Sequence, residues 1–222
     1  MNAFPDLRER LAVYYVADPE QTERDFLALV AAALSGGATS LQLRAKHMSG
    51  REMYDLALRL RDRCAAAGAL FFVNDRVDVA IASSADGVHV GVHDLPLLAT
   101  RRLIGPDMTL GYSPLNMDDA IAAKAGGADY VGLGPVFGTV SKSDAQPKLG
   151  LSALAEQIQA AGLPSVGIGG IDIDNAASVI RAGADGIAVI SAIQHADHPQ
   201  QATESLLLAV QRAKADRASQ GQ

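Results

Sequence analysis

The chain has no tryptophan, one cysteine, no excess of basic residues and no long apolar run, and each shortage removes a class of protein. With only Cys64, a disulfide within the chain is impossible, and a reducing, cytoplasmic setting is expected. Cys64 lies in a helical context with no histidine nearby in sequence, so it reads as a small packing residue. A formal charge of -6 gives no basic stripe for nucleic acid, so any anionic ligand must be held by a local cation cluster. No stretch approaches the roughly 20 apolar residues that a membrane span requires. The N-terminal residues carry early charges and no signal-length apolar run. Nothing in the sequence sets an oligomeric state.

Aliphatic residues are plentiful. Hydrophobic residues make up 49% of the chain and aromatics only 5%, a balance that suits parallel strands buried on both faces. Eight short apolar runs read as strands: Ala12–Val16, Ser40–Arg44, Leu70–Asn74, Gly87–Gly91, Thr109–Ser113, Tyr130–Val136, Ser165–Gly169 and Gly186–Ile190. Amphipathic segments alternate with them, near Gln21–Leu34, Gly50–Ala67, Arg76–Ser83, Leu97–Ile104, Met117–Ala125, Leu151–Ala161, Asn175–Ala182 and Gln200–Lys214. Thr22 or Asp25, and then Ser49, are placed to start the first two helices. Eight β/α units in 222 residues predict an α/β fold, one (β/α)8 TIM barrel over residues 1–222, with a frayed polar tail from about residue 216.

A partial repeat follows three of the helices: Ala85-Asp86-Gly87, Gly127-Ala128-Asp129 and Gly183-Ala184-Asp185. Glycine there ends a helix in the left-handed region, and the aspartates are expected to turn the chain at the barrel's bottom face. The longest connection, from Phe137 to Gly150, follows the sixth strand and reads as a lid on the active face.

The chemistry-bearing residues lie at strand ends. Val166-Gly167-Ile168-Gly169-Gly170-Ile171, followed by a strand ending Ile190-Ser191, resembles a phosphate cup, because Gly169 and Gly170 let an anion approach backbone N–H groups. Gln42, Arg44 and Lys46 alternate onto one side of strand 2, a cation cluster suited to a diphosphate or a carboxylate. Asn74 and Asp75 end strand 3, and Asp94 follows strand 4. Two carboxylates on adjacent strands can share one hard cation such as Mg²⁺, although Asp75 could instead cap a helix and Asp94 initiate a turn. His93 is left out, because neighbouring strand-end residues face apart. Ser113 offers a hydroxyl, and Thr139, Ser141 and Lys142 read as an anion clamp in the long loop.

Together these residues resemble one family. Gln42-x-Arg44-x-Lys46, Val73-Asn74-Asp75, Gly87-Val88-His89-Val90-Gly91 with Asp94, Tyr130-Val131-Gly132-Leu133-Gly134-Pro135, Thr139-x-Ser141-Lys142, Gly167-Ile168-Gly169-Gly170 and Ile190-Ser191-Ala192-Ile193 are similar, in order, to the thiamine phosphate synthases. The resemblance implies joining of 4-amino-2-methyl-5-pyrimidinylmethyl diphosphate to 4-methyl-5-(2-phosphoethyl)thiazole, with Mg²⁺ as cofactor. It implies that Gln42, Arg44, Lys46 and Asn74 hold the pyrimidine diphosphate and that Asp75 and Asp94 bind the metal. Ser113 and Lys142 would contact the leaving diphosphate, which makes Lys142, Arg44 and Ser113 the catalytic residues. Thr139, Ser141, Gly169, Gly170, Ile190 and Ser191 would hold the thiazole phosphate.

The chain departs from the family pattern at Ala45, commonly Glu, at Val92, commonly Gln, and at Ser141, more usually Thr. Three other readings use the same barrel. A thiazole tautomerase is expected to carry a histidine where this chain has Leu115, and a sugar-phosphate isomerase or epimerase would recruit Asp75 and Asp94 as its acid/base pair. A non-catalytic thiazole-phosphate binder would have lost the diphosphate half of the site.

Overall fold

Residues 4–138 and 147–220 are described in a computed structural model of the chain. The eight apolar runs form eight strands: β1 Val13–Ala17, β2 Ser40–Leu43, β3 Leu70–Asn74, β4 Gly87–Gly91, β5 Thr109–Ser113, β6 Tyr130–Leu133, β7 Ser165–Ile168 and β8 Gly186–Val189. Each pairs in parallel with the next, and β8 returns to β1 with Val13 opposite Ile187, which closes the barrel. The helices are α1 Leu7–Arg10, α2 Phe26–Ser35, α3 Gly50–Ala67, α4 Val77–Ser83, α5 Leu97–Ile104, α6 Met117–Ala123, α7 Gly150–Ala161, α8 Ala176–Arg181, α9 Ser191–Gln194 and α10 Pro199–Gln220.

The starts of α2 and α3 follow from their caps. The Asp25 carboxylate accepts from the N–H groups of Leu27 and Ala28, so α2 begins at Phe26. The helix expected from Gln21 therefore starts five residues later, and Pro19–Gln21 forms a separate 3₁₀ turn capped by Asp18. Ser49 and Glu52 form a reciprocal capping box on α3. At the other end, α10 runs to Gln220, where a frayed tail is expected from sequence. Arg217 accounts for the difference by donating to the carbonyls of Ile180 and Ala184.

Strand alternation divides the core. Val13, Tyr15 and Ala17 face the helices, whereas Tyr14 and Val16 face the barrel interior with Leu70, Phe72, Tyr130, Val166 and Ala188. Leu7 and Leu11, from α1 and the residue that ends it, join this inner cluster and close the bottom of the barrel. Gly111 makes room inside, because a Cβ there would run into the Tyr130 ring and His89 Nδ1. Cys64 is fully buried on α3, and burial, with a smaller push from the Asp86 charge, raises its thiol to about 12.

The repeated aspartates do something other than turn their own chain. Asp86, Asp129 and Asp185 accept the N–H groups of Phe71, Leu110 and Ser165 at 2.8, 2.8 and 2.9 Å, fastening the strand before the one each precedes. Thr39 does the same for Val13 at 3.0 Å after Gly37, whose φ is +90°. Gly127 and Gly183 end their helices at positive φ as expected, and Ser84 takes that role before Asp86 at φ +54°.

Candidate active site

A cavity of about 390 Å³ opens at the C-terminal ends of the strands, and all eight strands line it. Its polar wall begins on β2. Gln42 points inward from that strand, and Arg44 and Lys46 follow on the same side. Arg44 is nearly buried, and its guanidinium donates at 2.5 Å to Asp18, a carboxylate only 1% exposed. Asp18 is fixed in turn by Gln21 at 2.7 Å and by the wholly buried Gln194, whose amide bonds both backbone groups of Asp18 and the Tyr15 hydroxyl. A paired arginine in such surroundings keeps its orientation, while its remaining donors can serve a ligand.

Asp75 continues the wall from the end of β3. Its φ of +60° is unusual for a non-glycine residue, and the Arg76 N–H closes a three-residue turn around it onto the Asn74 carbonyl at 2.7 Å. Backbone held in a sparsely populated region of this kind occurs preferentially at functional sites. The carboxylate meets Lys46 Nζ at 3.0 Å and does not cap α4. Burial, reinforced by the facing Asp94 carboxyl and opposed by Lys46, holds Asp75 above the usual carboxylate range. Asp94 is oriented by the Gly91 N–H, which donates to it at 2.7 Å, so it closes a turn and lines the cavity at once. Among the described residues no group of three or more His, Cys, Asp or Glu converges as a metal cage. The two facing carboxylates are the residues that could hold a cation, and a divalent ion would relieve the repulsion that raises Asp75.

The opposite wall is the glycine cup. Gly169 and Gly170 have φ of +98° and +64°, and side chains there would collide with Pro135 and with the Gly138 carbonyl. Ile190 and Ser191 line the cavity where β8 passes into α9. Asn74 and Ser113 also line it, so every described residue singled out from sequence meets in one space. Thr139, Ser141 and Lys142 lie outside the described residues.

Several participants are not evident from sequence. His93 lines the cavity beside Asp94, because residues 91–94 turn and strand alternation does not apply to them. A hydrogen-bonded chain crosses the barrel beneath the cavity. Gln42 Nε2 donates to the Tyr14 hydroxyl at 2.9 Å, which pairs with the Tyr130 hydroxyl at 2.9 Å. Tyr130 meets His89 Nδ1 at 2.9 Å, and His89 Nε2 meets Ser113 Oγ at 2.8 Å. Burial raises both tyrosines above their ordinary range, so the hydroxyls keep their protons. The available signal was alternation itself, which turns Tyr14 and His89 inward like their neighbours two positions away.

A family model described as thiamine monophosphate synthase matches residues 13–193. The chain belongs to the thiamine monophosphate synthase family. A thiamine-phosphate synthase of Roseiflexus castenholzii is 48% identical over 206 residues, 92% of this chain and 90% of its own. One from Laribacter hongkongensis is 48% identical over 197 residues, covering 88% and 93%. Among solved structures, a thiamine phosphate pyrophosphorylase from Pyrococcus furiosus superposes with a TM-score of 0.86 at 39% identity, over 94% of this chain and 99% of its own. A 3-hexulose-6-phosphate synthase, at 18% identity and a TM-score of 0.68, shares the fold alone. In this thiamine monophosphate synthase family member, Val92 lines the cavity and Ala45 is buried in the outer core, so neither departure adds a charge to the site.

Proposed function

We propose that this transferase joins 4-amino-2-methyl-5-pyrimidinylmethyl diphosphate to 4-methyl-5-(2-phosphoethyl)thiazole, giving thiamine phosphate and diphosphate. The observation that carries this reading is a single cavity with two different walls, each suited to an anion: cations and paired carboxylates on one side and the glycine cup on the other. One phosphate site would serve many barrels. Two facing sites suit a reaction in which one partner leaves a diphosphate behind and the other is held by a phosphate.

In this reading Gln42 and Asn74 orient the pyrimidine, and Arg44 and Lys46 hold its diphosphate. The C–O bond to the diphosphate breaks, with both electrons leaving on oxygen. Arg44, Lys46, Ser113 and Lys142 stabilise the charge that develops there. The aminopyrimidine ring delocalises the positive charge left on its methylene carbon. The thiazole nitrogen lone pair then forms the new C–N bond. No proton moves in that step, so the site requires neither a general base nor a nucleophile. Gly169, Gly170, Ile190 and Ser191, with Thr139 and Ser141, tether the thiazole phosphate and hold the nitrogen within reach of the carbon. Asp75 and Asp94 would hold Mg²⁺, which when bound neutralises diphosphate charge and improves the leaving group.

Leu115 lines the cavity where a tautomerase is expected to present histidine, which counts against that alternative. The deciding experiment mixes purified protein, both substrates and Mg²⁺, then measures thiamine phosphate and released diphosphate. Formation of both in equal amounts is expected, and binding of thiazole phosphate without product would favour the non-catalytic reading. Lys142→Ala is expected to lower kcat by about a hundredfold while leaving thiazole phosphate affinity unchanged. Weakened thiazole binding alone would move Lys142 to the other wall.

A further inference from the structure

We propose that the hydrogen-bonded chain under the cavity has a fixed direction, and that this direction makes the Ser113 hydroxyl a donor to the bound diphosphate. The inference rests on the reading that Gln42 faces the pyrimidine and Ser113 the leaving group. Tyr14, Tyr130 and His89 are then positioning residues, which act on the reaction through the two ends of the chain, Ser113 and Gln42.

The direction follows from counting hydrogens. Gln42 Nε2 can only donate, so the Tyr14 oxygen accepts from it and passes its own hydrogen to Tyr130. Tyr130 has then accepted, and because its hydroxyl is fully buried with Tyr14 and His89 as its hydrogen-bond partners among the described residues, its own hydrogen would be left unsatisfied unless it goes to His89 Nδ1. An accepting Nδ1 means that the imidazole hydrogen sits on Nε2, where it is donated to Ser113 Oγ. With its oxygen already accepting from His89, the serine is left with a hydrogen to turn into the cavity. The same amide orientation leaves Gln42 Oε1 as an acceptor at the pyrimidine end, matched to an exocyclic amino group.

Reversal of the chain has a definite chemical cost. If Gln42 offered Oε1 to Tyr14, every hydrogen would point the other way, and Ser113 would spend its own on His89 Nε2. Only oxygen lone pairs would then face the diphosphate. Gln42 and Ser113 therefore present complementary groups together, although they stand on β2 and β5. The hydroxyl pair at the centre is fully buried, so water does not compete for its hydrogens.

The tautomer of His89 can be read without substrate. Nitrogen-15 spectra of the labelled protein, with the His89 signals assigned by their loss in His89→Asn, are expected to show a pyridine-type Nδ1 and a pyrrole-type Nε2. Tyr130→Phe removes the hydrogen that enforces this state. A mixture of tautomers is expected there, with kcat about tenfold lower and the KM for thiazole phosphate unchanged. If that variant does not fold, Tyr14→Phe tests the same link one step earlier and is expected to give the same mixture. A hydrogen on Nδ1 in the parent protein, or an unchanged tautomer and kcat in a folded Tyr130→Phe, would overturn the inference. If the parent protein makes no thiamine phosphate, the synthase reading fails. A pyrrole-type Nε2 in that same protein would leave the donor assignment standing.

Discussion

Asp75 bears several constraints at once. Its backbone occupies a left-handed conformation, its carboxylate is partly removed from water, and a second carboxylate faces it. Lys46 supplies one compensating charge, and Mg²⁺ would supply a larger one. Asp75→Ala is expected to lower kcat by about a hundredfold or more through lost leaving-group stabilisation. Calorimetric titration should show thiazole phosphate binding within about twofold of the parent protein, because the glycine cup lies on the other wall. A variant of unchanged rate at limiting Mg²⁺ would remove Asp75 from the metal site. Arg44 differs in kind, since its guanidinium is held in place by a buried carboxylate from β1's own loop rather than by substrate.

At the scale of the element, the Asp86 clasp ties β4 to β3 and carries a pH dependence. Burial, partly offset by the Phe71 N–H, raises the Asp86 carboxyl above its ordinary value of 3.8. The folded state therefore binds this proton more tightly than the unfolded chain does. The contribution is complete below about pH 3.8 and is lost as pH rises through the folded value. Asp86→Asn keeps an acceptor for Phe71 and cannot ionise. Its Tm relative to the parent protein is expected to rise between pH 4 and neutrality, by on the order of 2 °C. A difference independent of pH in scanning calorimetry would contradict the assignment. These elements were largely legible beforehand, because buried parallel strands read as apolar runs and their glycine boundaries are local. Gln42, Arg44 and Lys46 were legible as alternate positions along β2 and the residues that follow it. Tyr14, Asp18, His89, Tyr130 and Gln194 were not. Their roles depend on contacts between positions as far apart as 18 and 194, and no periodicity within one segment encodes such a pairing. The 3₁₀ turn at Pro19–Gln21 was missed because Asp18 stabilises it with a side chain that also serves Arg44.

Across the whole molecule, anchoring and chemistry occupy opposite ends of the barrel. The aspartate and threonine clasps, the Leu7 and Leu11 plug and the helix-ending glycines gather where the strands begin. The proposed substrate contacts gather where they end. One consequence concerns the seam between β8 and β1. Arg8 pairs with Asp185, and Lys214 donates to the Arg8 carbonyl at 3.2 Å, so the first and last helices already lie side by side. A Gly/Ser linker of about eight residues, which spans roughly 15 Å as a coil, is expected to join them. New ends can then be opened at Gly68, where the turn is exposed and a side chain would meet nothing within 4 Å. Such a circular permutant is expected to unfold cooperatively and to keep the parent's kcat within about threefold, as measured by calorimetry and product formation. The linear order in which a ribosome delivers the eight units would then be a matter of manufacture, separable from the ring that does the work.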